Sequence, residues 1–119
     1  MALIPKEWCE KVTAILDAGA KGTRSITNTA RRDWMNLFPD SFSFEIYSVI
    51  SSILKLGAIT DAQEVLTMNE PGEVYEFLFV YRSRRMYSKV NLQEGKVSVL
   101  VYSSHLQRYG NIIDGRFGK

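Results

Sequence analysis

Glu73-Val74-Tyr75-Glu76-Phe77-Leu78-Phe79-Val80-Tyr81 is the stretch on which the fold turns. Its period is two, so Tyr75, Phe77, Phe79 and Tyr81 fall on one face of a strand and Val74, Leu78 and Val80 on the other. Both faces are largely apolar, which predicts a strand inside a sheet and covered on both sides. The same period continues downstream. Ser83 to Arg85 reads as a polar turn. The next strand sets Met86, Val90 and Leu92 on one face against Arg85, Tyr87, Lys89 and Asn91 on the other. Gln93-Glu94-Gly95 reads as a hairpin loop with its glycine in the left-handed position. Val97 to Tyr102 alternates again, Val97, Val99 and Val101 against Ser98, Leu100 and Tyr102. A short closing helix over Ser103 to Arg108 and a loose tail from about Gly110 complete this half.

Upstream the period is helical. Trp8, Val12, Ile15 and Leu16 recur on one face behind Pro5, and Gly19 and Gly22 end the run, predicting a helix over Lys6 to Ala18. Ser25 or Thr27 can cap a second helix carrying Ala30, Trp34 and Leu37, closed at Phe38-Pro39 because the residue before proline is pushed out of helical geometry. Asp40, Ser41 or Ser43 opens a third, striped by Ile46, Ile50, Ile53 and Leu54 and stopped at Gly57. Thr60 and Gln63 have capping-box spacing, which predicts a short fourth helix through Val65 and Leu66. Asn69-Glu70-Pro71-Gly72 then turns the chain into the first strand.

Helices followed by strands predict an α+β architecture, with N-terminal helices packed on a C-terminal antiparallel sheet of about three or four strands. The 119 residues fit one domain, large enough for a core without covalent staples. Helices on one side of such a sheet leave its other face available.

Composition narrows the class. The chain is 45% hydrophobic and 24% charged, ordinary for a globular protein. A single cysteine, Cys9, excludes an internal disulfide and reads as an inert thiol on a helix. No apolar run approaches the ~20 residues of a membrane span, and Met1-Ala-Leu-Ile-Pro5 is not a signal peptide, so the reading is cytoplasmic. The net charge of +2 matters less than its placement. Lys21, Arg24, Arg31 and Arg32 cluster early, and Arg82, Arg84, Arg85 and Lys89 cluster late.

No glycine-rich phosphate loop, metal-ligand spacing or second histidine to pair with His105 is present, so neither a metal nor a small-molecule cofactor is expected. One constellation remains. Arg85, Tyr87 and Lys89 point the same way from one strand, about 6.5 to 7 Å apart. Arg82 and Arg84 stand at the turn, and Tyr102, His105 and Arg108 follow on or beyond the next strand. A basic, aromatic sheet face can hold a phosphate and stack a base, as recognition of single-stranded RNA requires. Metal-free RNA cleavage needs a base for the 2′-hydroxyl, cations for the phosphorane and an acid for the leaving oxygen. Arg85 and Lys89 suit the cationic part, and Tyr87, His105 or Tyr102 the proton transfers. The same residues also fit a solvated sheet surface, His105 a helix cap, and Arg31-Arg32 either a solvated helix face or an RNA backbone contact. Trp8 and Trp34 read as core, Phe42 and Phe44 as packing anchors.

The second half, from Phe44 to His105, resembles the RelE-like and MqsR-like interferase toxins of the barnase–EndoU–colicin–RelE group. The resemblance lies in Glu73-Val74-Tyr75-Glu76-Phe77, Met86-Tyr87-Ser88-Lys89-Val90 and Lys96-Val97-Ser98-Val99-Leu100-Val101-Tyr102. It implies a RelE-like fold and an endoribonuclease toxin held in check by a cognate antitoxin or immunity protein. It also implies an active-site Tyr87 with Lys89 and Arg85 as phosphate contacts. The pattern departs at two places: Ala62-Gln63-Glu64-Val65 carries no lysine before the sheet, and the first long strand lacks a clear match to the active-site glutamine. Two other readings stand beside it. One is a non-catalytic protein-binding module (an immunity protein, antitoxin or phage-encoded inhibitor) that pairs through its sheet face or edge strand. The other is an RNA-binding protein that does not cleave.

Overall fold

Trp8, Val12 and Leu16 form the buried stripe of α1 (Lys6–Ala18) in the computed structural model, which describes residues 4–59, 61–65 and 72–103. Pro5 takes the N-cap position in extended geometry, and Gly19 closes the helix at φ 63°. Thr27 rather than Ser25 caps α2 (Asn28–Leu37), its hydroxyl accepting the Ala30 amide at 3.1 Å. α3 (Glu45–Leu56) starts later than its candidate caps suggest. Phe44 stands at its N-cap, and the Glu45 carboxylate accepts the Phe42 amide instead.

The strands are β1 (Arg24–Ile26), β2 (Asp61–Glu64), β3 (Glu73–Tyr81), β4 (Arg84–Gln93) and β5 (Lys96–Ser103). They form one sheet in the order β1-β5-β4-β3-β2, with β1 parallel to β5 and the other pairs antiparallel. The α+β architecture therefore stands, with a mixed five-stranded sheet in place of a three- or four-stranded antiparallel one.

The two extra strands are the edges. The expected fourth helix is β2: Asp61, Ala62, Gln63 and Glu64 pair with Leu78, Phe77, Glu76 and Tyr75. Tertiary pairing overrides the capping-box spacing, because Gln63 commits its side chain to β3 and Ala62 is buried at 1% exposure. β1 is held from outside its own sequence, by register with Val97, Ser98 and Val99 and by flanking bonds from Val97 N to Thr23 O and Thr27 N to Val99 O. The turn after β3 is Arg82-Ser83, at φ 51° and 66°, and the strand resumes at Arg84. The closing helix, the tail, Thr60 and the turn at 69–71 lie outside the described residues, apart from Ser103, which ends β5, and Gly72.

The helices pack on one sheet face. Their stripes enclose Tyr75, Phe77 and Phe79 of β3, Met86, Val90 and Leu92 of β4, Val97 and Val99 of β5, and Ile26 and Ala62 from the edges. Trp8 ties α1 to the start of β3, its ring edge-on to Tyr75 at 5.0 Å and its Nε1 donating to the Glu73 carbonyl at 3.0 Å. The Arg24 guanidinium donates to the Leu16 carbonyl at 2.7 Å and lies 4.2 Å over the Tyr47 ring, clasping α1, β1 and α3 together. No helix among the described residues is long and apolar enough to cross a membrane.

Gly72 enters β3 at φ 126°, and a Cβ there would stand 2.0 Å from Asn91 Oδ1 and 2.9 Å from the Leu92 carbonyl oxygen. Gly72→Ala is therefore expected to destabilise the fold by about 2–3 kcal/mol, through strain and displacement of β4, as read by urea denaturation. A loss under about 0.5 kcal/mol would show that this entry to β3 is not as tight as described.

Candidate functional site

The sheet face turned away from the helices holds the polar residues of interest. β4 alternates as expected, so Arg85, Tyr87, Lys89 and Asn91 share this face, opposite Met86, Val90 and Leu92. The register lines Gln63, Glu76 and Lys89 across β2, β3 and β4, and Leu78, Tyr87 and Tyr102 across β3, β4 and β5. Glu76 is thus opposite Lys89 and diagonal to Tyr87.

Glu76 is the centre of the arrangement. Tyr87 Oη donates to its Oε1 at 2.7 Å, and Gln63 Nε2 donates to its Oε2 at 2.7 Å. Glu76 and Tyr87 are both 0% exposed, whereas Lys89 is half-buried and Arg85 exposed. A carboxylate removed from water is costly unless its oxygens are satisfied, and here each oxygen has a donor. The face is not the open surface that the alternation suggests. Val74 and Leu78 are buried on it with Tyr87, outside the core enclosed by the helices. The expectation of a water-facing phenol is corrected accordingly: Tyr87 shares a face with Arg85 and Lys89, but its hydroxyl is turned inward onto Glu76.

The remaining basic residues diverge. Arg82 donates to Asp40 Oδ1 at 3.1 Å and lies over Phe38 and Tyr81, at 5.5 and 5.4 Å from the ring centroids. Its pKa is raised above the usual arginine value, chiefly by the bond to Asp40. Arg84 is exposed with the parity of Met86, so it starts from the opposite side of β4 to Arg85. Tyr102 is the register partner of Tyr87. His105 and Arg108 lie outside the described residues. Of the early cluster, Arg24 is spent on the clasp described above, and Arg31 donates to Asn28 Oδ1 at 3.1 Å from an exposed position. Cys9 is half-buried on α1, with burial pushing its thiol pKa up, as an unreactive cysteine requires.

Reading by residue type missed Glu76 and Gln63. The signal for Glu76 was a lone carboxylate between Val74 and Leu78 on an otherwise apolar strand face. Gln63 had no signal once its segment was read as a helix. No group of three or more His, Cys, Asp or Glu residues that could hold a metal occurs among the described residues. No family model matches the chain, and no curated protein and no solved structure matches it either.

Proposed function

We propose that the protein is a metal-independent endoribonuclease of the toxin type, cleaving RNA by attack of a ribose 2′-hydroxyl and restrained by a cognate antitoxin or immunity protein. The observation that carries this reading is the buried Glu76 carboxylate, bonded to the Tyr87 phenol and opposite Lys89, with Arg85 on the same strand face. A sheet needs no carboxylate at that position, and an apolar residue would pack there at lower cost.

In the proposed step, Tyr87 Oη accepts the 2′-hydroxyl proton while its own proton passes to Glu76. The 2′-oxygen attacks phosphorus, Lys89 and Arg85 neutralise the phosphorane, and the departing 5′-oxygen takes a proton from His105. Tyr102 and Arg108 extend the RNA contact, Arg84 reaches it only around the hairpin tip because it starts from the opposite side of β4, and Arg82 contributes only if it leaves Asp40. Because Tyr87 and Glu76 are fully buried, substrate must uncover this face before the phenol reaches a ribose. That same burial favours a second reading, a protein-binding module without catalysis, in which the Glu76 cluster only orders the sheet.

Incubation of the purified chain with total RNA in EDTA separates the two. Discrete new RNA ends are expected. RNA left intact by a folded preparation overturns the nuclease reading and leaves the binding module.

A further inference from the structure

Exposure is inverted on two surfaces of the molecule. Phe42 and Phe44, which read as packing anchors, are 62% and 60% exposed and stack on each other at 5.3 Å. The polar face of the sheet is the reverse case. Val74 and Leu78 are 2% exposed, Glu76 and Tyr87 0% and Asn91 5%, although the helices enclose the other face. Neighbours within one sheet flank a side chain without roofing it, so residues buried to this degree have a layer over them. Glu76, Arg85, Tyr87 and Asn91 each take part in a further interaction as well. The layer ends toward the hairpin tip, where Val80 is 58% exposed and Arg85 is exposed.

Chain length decides which segment supplies the layer. Residues 1–3 lead into Ile4, which packs against the helix-side core. Residues 66–71 are closed into a loop by the bond from Val65 N to the Val74 carbonyl at 2.9 Å. Folded out and back, such a loop reaches about 10 Å, whereas the buried row from Val74 to Leu78 runs about 14 Å. The segment after β5 has both the position and the reach. Ser103 ends that strand opposite Met86, beside the Tyr87–Tyr102 pair, and residues 104–119 follow with a contour of about 50 Å. Within them Leu106, Tyr109, Ile113 and Phe117 recur at intervals of three and four, the apolar contribution that such a cover requires. We infer that residues 104–119 are the cover: the chain turns back after Ser103 and lays these apolar residues against Val74, Leu78 and the Tyr87 ring. Under the nuclease reading, on which this consequence rests, the segment is autoinhibitory, and RNA reaches Tyr87 only when the segment lifts.

The test reads shielding of the face in the full chain, without RNA. Leu78→Cys in a Cys9→Ser background places one thiol beside Tyr87, and its rate of reaction with Ellman's reagent is followed. Val74→Cys takes its place if circular dichroism shows the first variant unfolded. The thiol should react slowly. Ile113→Asp, and independently Phe117→Asp, should each speed it by about tenfold or more while the circular dichroism of the folded chain holds. Met68→Asp, in the 66–71 connection, should change it less than about twofold. A thiol that is fast from the outset, indifference to both tail variants, or a larger effect of Met68→Asp overturns the proposal. So does shielding that is lost on dilution, which would make the cover a second copy of this chain. Ile113→Asp and Phe117→Asp leave His105 and Arg108 in place, so both should cut RNA severalfold faster than the parent. A preparation that cuts RNA, in which the thiol opens and cleavage does not rise, overturns the autoinhibition. Intact RNA with every variant, the thiol opening as expected, upholds the cover and sinks the nuclease reading alone.

Discussion

Trp34→Ala is expected to lower the free energy of unfolding by about 3–5 kcal/mol, the range for removing a large aromatic from a packed core. Trp34 is 1% exposed and stacks on Tyr81 at 5.2 Å, with Phe38 at 4.7 Å on another side. Its Nε1 donates to Ser41 Oγ at 3.0 Å, and that hydroxyl in turn donates to the Phe38 carbonyl at 3.0 Å. One side chain thus joins α2, the loop into α3 and the end of β3. Alanine opens a cavity between them and removes the donor to a buried hydroxyl at the same time. The adjacent Met35, 39% exposed, gives the control: Met35→Ala should cost under about 1 kcal/mol. Urea denaturation of both variants decides. A Trp34→Ala loss no greater than the Met35→Ala loss would mean that α2 is not docked on β3 as described.

The fold was legible where a pattern is long enough to have a period. Nine residues of β3 alternate, and twelve of α3 carry an unbroken stripe, so both follow from burial alone. The edge strands had no such pattern. Arg24-Ser25-Ile26 is too short to alternate, and Asp61-Ala62-Gln63-Glu64 has the composition of a helix start. Each becomes a strand because a neighbour far along the chain offers its hydrogen bonds. The site was legible to the same extent. Period two correctly places Arg85, Tyr87 and Lys89 on one face, because face is a property of one strand. Exposure is not. Whether Tyr87 meets water depends on what lies across the sheet, and its actual partner, Glu76, is on another strand at diagonal register. Phe42 and Phe44 err in the other direction, aromatic yet outward, because the loop into α3 passes over the surface.

The larger test concerns chemistry at that diagonal. Under the nuclease reading, Tyr87→Phe and Lys89→Ala are each expected to slow RNA cleavage by about 10²–10³-fold, one by removing the proton acceptor and the other by removing charge from the phosphorane. Stability must be measured beside rate, since Tyr87→Phe also strips a donor from the fully buried Glu76 and should cost about 1–3 kcal/mol. Rates are therefore compared at a temperature where circular dichroism shows every variant folded. Glu76→Gln then separates a role in catalysis from one in architecture. The amide keeps the shape and can still accept from Tyr87, but it cannot take a proton. If Glu76 receives the phenol's proton, Glu76→Gln slows cleavage, and combining it with Tyr87→Phe adds little further loss, because the two act as one unit. If Glu76 only orders the sheet, Glu76→Gln loses stability while the rate per folded molecule holds. A preparation that cuts RNA yet is slowed less than about threefold by both Tyr87→Phe and Lys89→Ala would be a nuclease whose chemistry lies elsewhere on the chain.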